Sequence, residues 1–322
     1  MVLRINPSRM PIWRNPNELQ LGESTNAIRI SGLSPGQERL IKLLYRGVAD
    51  SYFKEVAETV GANEPEQLLK QIEPALLKRA GEPTSLNAQF IADHFAEICR
   101  AQATHNIEGA VVIESRRRGT VFIENCDGVT KTVAIALSNS GVGTIVLENL
   151  DDVPDLELDC KTIKLSDMPD AQIDQIDFAI LISNNAVSPR SYARWLGRNV
   201  PHLSIVFDSE GVSISPTIRS AKNPCLNCFH ENKTSTDSSW PAVASQLLFS
   251  QQRFDDVSAS YFAASIASQR ALHEIDVSTG IDLSTSIAEE TQASAGYHLS
   301  MKNAEISEFS WQFNDSCKCR GY

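Results

Sequence analysis

Apolar and polar positions change rhythm along this chain. Near the start they alternate in short runs, Leu3–Ile5, Glu18–Leu21 and Ala27–Ile30, the period of strands buried on one face. Pro7, Pro11, Asn15, Pro16 and Gly22 punctuate these runs as turns. Ser34, Pro35 and Glu38 then read as an N-cap, a first-turn proline and a nearby acid, and Leu40, Ile41, Leu43 and Leu44 follow at helical spacing. A second helix fits Tyr52–Val60, stopped by Gly61. A third fits Pro65–Arg79, with Leu68, Leu69, Ile72, Leu76 and Leu77 on one stripe and Pro74 as a kink. Three strands with three helices is the content of a small winged-helix α+β module, residues 1–82. Residues 83–107 read as a linker with a helix over Asn87–Ala101.

From residue 108 to 322 the texture differs. Thr120–Ile123, Thr144–Leu147, Phe178–Ile182 and Leu203–Phe207 are near-continuous apolar runs, as expected of strands covered on both faces. Helical stretches over Lys131–Ser140 and Tyr192–Arg198 alternate with them, and Gly141 and Gly143 close the first. The alternation predicts an α/β domain built on a doubly wound, mostly parallel, Rossmann-like sheet. Helices are expected between Trp240 and Ile275, and late strands over Tyr297–Met301 and Glu308–Phe313.

Composition narrows the function. Hydrophobic residues make up 42% and charged residues 21%, a globular balance, and the formal net charge is −11. That acidity argues against a nucleic-acid partner, since phosphate-backbone binders carry a basic face. Arg116, Arg117 and Arg118 form one local basic run, read as a solvated turn in preference to an anion contact. No apolar run approaches the roughly 20 residues a membrane helix needs, so a cytoplasmic protein with no membrane partner is expected.

Four of the seven cysteines fall into two couples, Cys225 with Cys228 and Cys317 with Cys319, roughly ninety residues apart. Two such couples supply four thiolates for one tetrahedral Zn²⁺, with Zn–S distances of about 2.3 Å, and the ion would staple the C-terminal tail to the body. Cys99, Cys126 and Cys160 are scattered in apolar or strand-like context. That distribution, with no secretory signal at the start, speaks against a disulfide framework.

Taken together, these features resemble the ThiF/MoeB/HesA superfamily, the adenylating fold of ubiquitin-activating enzymes. The likeness is carried by Leu3–Pro7, Ile12–Pro16 and Leu19–Gly22 near the start and by Gly141–Gly143 in the middle. Pro201–Leu203, Asn223–Pro241 and the closing Trp311–Cys319 add to it. The nearer resemblance is to ThiF-like leader-peptide-binding proteins (the TOMM and bacteriocin-biosynthesis group) that accompany ribosomal-peptide cyclodehydratases. It implies a winged-helix module that captures a leader peptide as an added strand, with Trp13, Leu19 and Leu21 as its contacts. It also implies ATP with Mg²⁺, a partner modifying enzyme and a homodimer.

The nucleotide positions depart from the family's pattern. Counting back from Gly141, the three glycine positions of its phosphate loop become Asn125, Asp127 and Thr130, with Gly128 out of phase. Asp127 would face negative phosphates, and at roughly 4 Å with an effective dielectric near 20 each such contact costs about 4 kcal/mol. The ribose-binding acid falls near Glu148 and Asn149. The family's Mg²⁺-holding Asp-Asn pair reads Asn184-Asn185, and a neutral amide is a poor ligand for a hard cation. Three parts of one ATP site have changed together, so ATP and Mg²⁺ are doubtful and no catalytic residue is assigned.

Other candidates rank lower. Cys126 lies between acids, Glu124 and Asp127, that suppress its thiolate. His202 reads as structural, and His230 is a metal ligand only if a cysteine is not. The acids Asp151, Asp152, Asp155, Glu157 and Asp159 read as solvated surface. The expected function is a non-adenylating scaffold that presents a leader peptide or other protein segment to a modifying enzyme. The rival is an ATP-dependent adenylyltransferase using Glu148 at the ribose and Lys131, or an arginine of the 116–118 run, over the phosphates.

Overall fold

The computed structural model describes residues 2–23, 27–124, 127–149, 158–220, 222–281 and 295–321. The chain divides into two compact units, Met1–Glu114 and Ser115–Tyr322.

In the first unit, β1 (Val2–Leu3) precedes β2 (Pro11–Asn15), β3 (Glu18–Leu21) and β4 (Ile28–Ser31). Then come α1 (Pro35–Arg46), β5 (Val48–Ala49), α2 (Phe53–Val60), α3 (Pro65–Ile72), α4 (Ala88–Asp93) and α5 (Phe95–His105). β2, β3 and β4 form an antiparallel sheet with β3 in the middle, whereas β1 pairs with β5. Pro11 reads as a turn in the sequence yet opens β2. An edge strand tolerates the missing N–H at its first residue. Ser34 caps α1 reciprocally with Gln37: its Oγ accepts from the Gln37 N–H at 3.2 Å, and Gln37 Oε1 accepts from the Ser34 N–H at 2.9 Å. Gly61 ends α2 at φ +68°, a left-handed conformation that suits glycine.

Two expected helices came out shorter. Pro74 stops α3 at Ile72 instead of kinking it, because proline removes a helical donor and crowds the preceding turn. The helix expected over 87–101 is two, broken at His94, whose ring stacks on Phe90 at 4.0 Å between centroids. The segment 83–107 is fastened into this unit by the buried Asn6. Its Nδ2 donates to the Gln102 carbonyl at 3.1 Å and to Asn106 Oδ1 at 2.9 Å, while Asn106 Nδ2 donates to the Leu76 carbonyl at 2.6 Å. Ile5, Leu19, Leu21, Ile30, Leu40, Leu44, Leu68 and Ile72 form the core.

Helix α6 (Gly109–Arg116) spans the boundary between the units. Beyond it lie β6 (Thr120–Ile123), α7 (Asp127–Asn139), β7 (Thr144–Leu147), β8 (Lys161–Lys164), α8 (Asp170–Ile173), β9 (Phe178–Asn184), α9 (Pro189–Gly197), β10 (His202–Phe207) and β11 (Gly211–Ile214). Helices α10 (Leu226–Thr236), α11 (Trp240–Leu248) and α12 (Val257–Ser278) follow, then β12 (Ala295–Ser300) and β13 (Ile306–Ser310). One eight-stranded sheet runs β13-β12-β11-β10-β9-β6-β7-β8, parallel from β10 to β8 and antiparallel beyond. The chain builds β7 and β8 on one side of β6, then returns to build β9 and β10 on the other. The crevice between the C-terminal ends of β6 and β9 is therefore the topological switch point, where open α/β sheets hold ligands.

Both faces of the sheet are covered, which explains the unbroken apolar runs. Val121, Ile123, Ile145, Leu147, Phe178 and Ile180 face α7 and α12. Phe122, Val146, Ala179 and Leu181 face α9 and the cysteine-bearing segments. Buried Ala259, Ala263, Ala267 and Ala271 let α12 approach closely. Gly143 is required by proximity: a Cβ there would stand 1.7 Å from the Arg117 carbonyl oxygen. The sequence did not foretell β8, β11 or α10. β8 is a half-exposed edge, β11 has four residues, and α10 mixes polar residues with its cysteines.

Arg116 corrects the reading of the basic run as a solvated turn. It is 6% exposed, and its Nε and Nη2 donate to the two carboxylate oxygens of the buried Asp276, each at 2.8 Å. Removing one partner of such a pair leaves an uncompensated buried charge. Asp276→Ala is expected to lower the unfolding free energy in urea by about 3–5 kcal/mol, and the double variant Arg116→Met/Asp276→Leu by much less. Equal losses in the two would show that the pair is not what matters.

Candidate functional site

At the switch point the chain places a carboxylate of its own. The Glu124 N–H donates to the Ile180 carbonyl at 2.8 Å, which continues the β6–β9 ladder by one step. The next donor, the Ile182 N–H, would in a continued ladder go to a main-chain carbonyl; it donates instead to Glu124 Oε2 at 3.1 Å. Glu124 Oε1 accepts from the Ser191 hydroxyl, in the first turn of α9, at 2.6 Å. One side chain thus ties the ends of β6 and β9 to α9. Burial pushes the Glu124 carboxyl above its ordinary range, against the pull of the Ser191 and Ile182 hydrogen bonds. Glu148, just past β7, adds to the rise, and Arg194 of α9 opposes it. Arg194 Nη1 meets Glu148 Oε1 at 2.5 Å, at the surface.

The positions assigned to the phosphate loop are spread along this region. Asn125 and Cys126 lie outside the described residues, as do Asp151, Asp152, Asp155 and Glu157. Asp127 opens α7, and Gly128 is an exposed helical residue with nothing within 4 Å of where a Cβ would stand. Thr130 is fully buried, and its Oγ1 donates to the Glu124 carbonyl at 3.3 Å. Glu148 has Arg194 as partner, and Asn149 follows it half-buried. Asn184 Oδ1 accepts from the Phe254 N–H at 2.9 Å, and Asn185, at φ +69°, donates from Nδ2 to the Gln252 carbonyl at 3.2 Å. The two asparagines thereby hold the segment between α11 and α12 across the sheet's C-terminal edge. The sequence presents Glu124 only as a neighbour of Cys126. Its one legible signal is a charged residue at the end of a buried apolar run. Ser191 and Arg194 carry no sequence signal.

The second constellation is the cysteine cluster. Cys225 is the N-cap of α10 and Cys228 lies in its first turn, while Cys317 and Cys319 come from the tail. The four Sγ atoms lie within 4.8 Å of one another: Cys225–Cys228 at 4.0 Å, Cys225–Cys317 at 3.6 Å and Cys228–Cys319 at 3.5 Å. Four sulfurs about 2.3 Å from one tetrahedral ion stand about 3.8 Å apart, so the group could hold a metal ion with little movement. Without a cation, burial raises the Cys319 thiol to about 11 and pushes Cys225 up as well; a bound cation reverses that preference. Asn227 Nδ2 approaches Cys317 Sγ at 3.4 Å, an outer contact of the kind that orients metal ligands. The tail is also seated by Asn232 Nδ2 on the Gln312 carbonyl at 2.8 Å and by Trp311 against Phe229, 5.1 Å between ring centroids.

Neither histidine joins the cluster. His230 Nδ1 accepts from the Trp240 indole N–H at 3.1 Å. His202 is buried, its Nδ1 lies 2.9 Å from the Val200 carbonyl, and burial drops its pKa to about 4, which keeps it neutral.

In the N-terminal unit, Leu19 and Leu21 sit on the central strand β3 with their side chains in the core. Trp13 lies on the edge strand β2, in one cross-strand row with Leu19 and Ile30, and is 46% exposed. Among the described residues both β2 and β4 keep one unpaired edge.

A doubly wound domain with a carboxylate at its switch point and a four-cysteine cluster, joined in sequence to a small α+β unit, is a specific combination. No family model matches this sequence, and no curated protein matches it. Solved structures do share the fold. E. coli MccB is 14% identical over 99% of this chain and 97% of its own, with a TM-score of 0.64. The microcin C7 biosynthetic enzyme MccB in complex with N-formylated MccA is 12% identical over the full length of both, at 0.62. A heterocyclase in complex with substrate and cofactor is 13% identical over 99% of this chain and 39% of its own, at 0.63. Among the described residues no helix is long and apolar enough to cross a membrane.

Native mass spectrometry of the purified protein is expected to find one metal ion per chain. Cys228→Ser should lose it and unfold at markedly lower temperature, because metal binding is coupled to folding. An ion-free wild type, or a Ser variant that keeps its ion, would remove the cluster's assigned role.

Proposed function

We propose that this protein is a ThiF-like, non-adenylating scaffold of ribosomal-peptide modification. Its winged-helix module holds a leader peptide, or another protein segment, as an added strand on a free edge of the β2–β3–β4 sheet. It presents that segment to a partner enzyme such as a cyclodehydratase. The observation that carries the non-adenylating part is Glu124: a half-buried carboxylate stands at the switch point and accepts from the donors of β9 and α9. A phosphate at roughly 4 Å would cost about 4 kcal/mol per contact at an effective dielectric near 20. Asn184, at the Mg²⁺ position of the resemblance, is engaged with the Phe254 backbone. The peptide part draws support from fold neighbours solved with peptide or substrate, MccB with MccA and a heterocyclase with substrate and cofactor. Structural Zn²⁺ is the ion best suited to four thiolates at these separations.

The rival reading, an ATP-dependent adenylyltransferase, is favoured by the crystal structures of E. coli MccB with ATP and with AMPCPP. It would need Glu148 released from Arg194 and Glu124 displaced or protonated.

A homodimer belongs to the same proposal. Helix α11 has no buried residue although it is apolar and uncharged, and Val243, Leu248 and Phe249 are exposed, Phe249 by 79%. On a chain of net charge −11, an uncharged face is where two copies meet with least repulsion.

Isothermal titration of ATP with Mg²⁺ should give no heat of binding, and pyrophosphate exchange should stay at background with any carboxylate peptide. Micromolar ATP affinity would decide for the adenylyltransferase. In light scattering after size exclusion the protein should run as a dimer and Phe249→Asp as a monomer; a monomeric wild type would end the dimer proposal.

A further inference from the structure

Charge is divided unevenly along the chain. Residues 1–46 carry seven Arg and Lys against three Glu, a surplus of four positive charges. The whole chain carries −11, so residues 47–322 carry −15. The basic part holds the β2–β3–β4 sheet and α1, and three of its cations, Arg29, Lys42 and Arg46, are exposed and have no ion-pair partner among the described residues.

Register shows what one of these cations would meet. Among the described residues β4 pairs only with β3, in the rows Leu21–Ile28, Leu19–Ile30, Gln20–Arg29 and Glu18–Ser31. The first two rows face the core and the last two face solvent. Helix α3 lies beside β4, and Ile28 and Leu69 are only partly buried. A strand added to β4 would keep its period of two. Its inward side chains would continue the rows of Ile28 and Ile30, and its outward side chains would stand next to Arg29 and Ser31. Apolar residues suit the first set and carboxylates the second.

We infer that the segment bound at the β4 edge is an acidic extended peptide in which apolar residues alternate with Asp or Glu. The inference rests on the peptide-binding reading above and adds the chemistry of the partner.

Fluorescence anisotropy with the full-length protein tests it. The probes are three labelled twelve-residue peptides of one alternating pattern, with Glu, Gln or Lys at every polar position. The Glu peptide is expected to bind at least about tenfold more tightly than the Gln peptide, with the Lys peptide weakest and the difference shrinking as salt rises. Arg29→Glu, a solvent-facing change, should weaken the Glu peptide about tenfold and strengthen the Lys peptide. Equal binding of the Glu and Gln peptides would overturn the acidic preference while leaving strand capture standing. No binding by any of the three would bring down both the inference and strand capture at this edge. Binding of a labelled DNA duplex or RNA strand that competes with the Glu peptide and depends on Arg29 would overturn it in favour of nucleic acid.

Discussion

The covering of both faces of the parallel sheet is the constraint on which the rest of the second unit depends. One face is closed by α7 and α12, whose alanines bring helix and sheet close together. The other is closed by α9 together with the cysteine-bearing segments, so its burial relies on a tail that contributes little helix or strand of its own. Cys225, Cys228 and Cys319 belong to that core as much as to the four-cysteine cluster. A tail of this kind gains too little from its few apolar contacts to offset the entropy of ordering it. Four converging thiolates on one cation supply a far larger free energy. A metal ion held there and this core would form one cooperative element.

At the switch point of the same sheet the chain places polar side chains of its own. Where chains end their first strand in glycine, backbone N–H groups are left open to an anion. Here Glu124 stands at the end of β6 and accepts from the Ile182 N–H and the Ser191 hydroxyl. Thr130 and Asn184 serve the same local economy, each giving its polar group to the protein's own backbone. Glu124 thereby ties the ends of β6 and β9 to α9.

Much of this was legible without coordinates. Continuous apolar runs announced β6, β7, β9 and β10, because a strand covered on two faces carries mostly apolar residues on both. Ser34 and Gly61 marked the ends of α1 and α2 through local capping chemistry. The spacing of the cysteines foretold a four-sulfur group, since that pattern has few other uses in a reduced protein. The half-exposed β8 escaped notice because its residues meet no single environment. Pro74 reads as a kink in the helical stripe, yet α3 ends at Ile72 before it, because the missing N–H and the ring's crowding of the preceding turn favour a stop.

What the sequence determined by itself is everything set by neighbours within a few residues: periodicity, capping and ligand spacing. The tertiary structure alone decided which distant groups would meet. Arg116 finds Asp276 across 160 positions, and Glu124 finds Ser191 across 67. Neither pairing leaves a local trace, because a buried charge is tolerated only through a partner that the folding of the whole sheet brings alongside it.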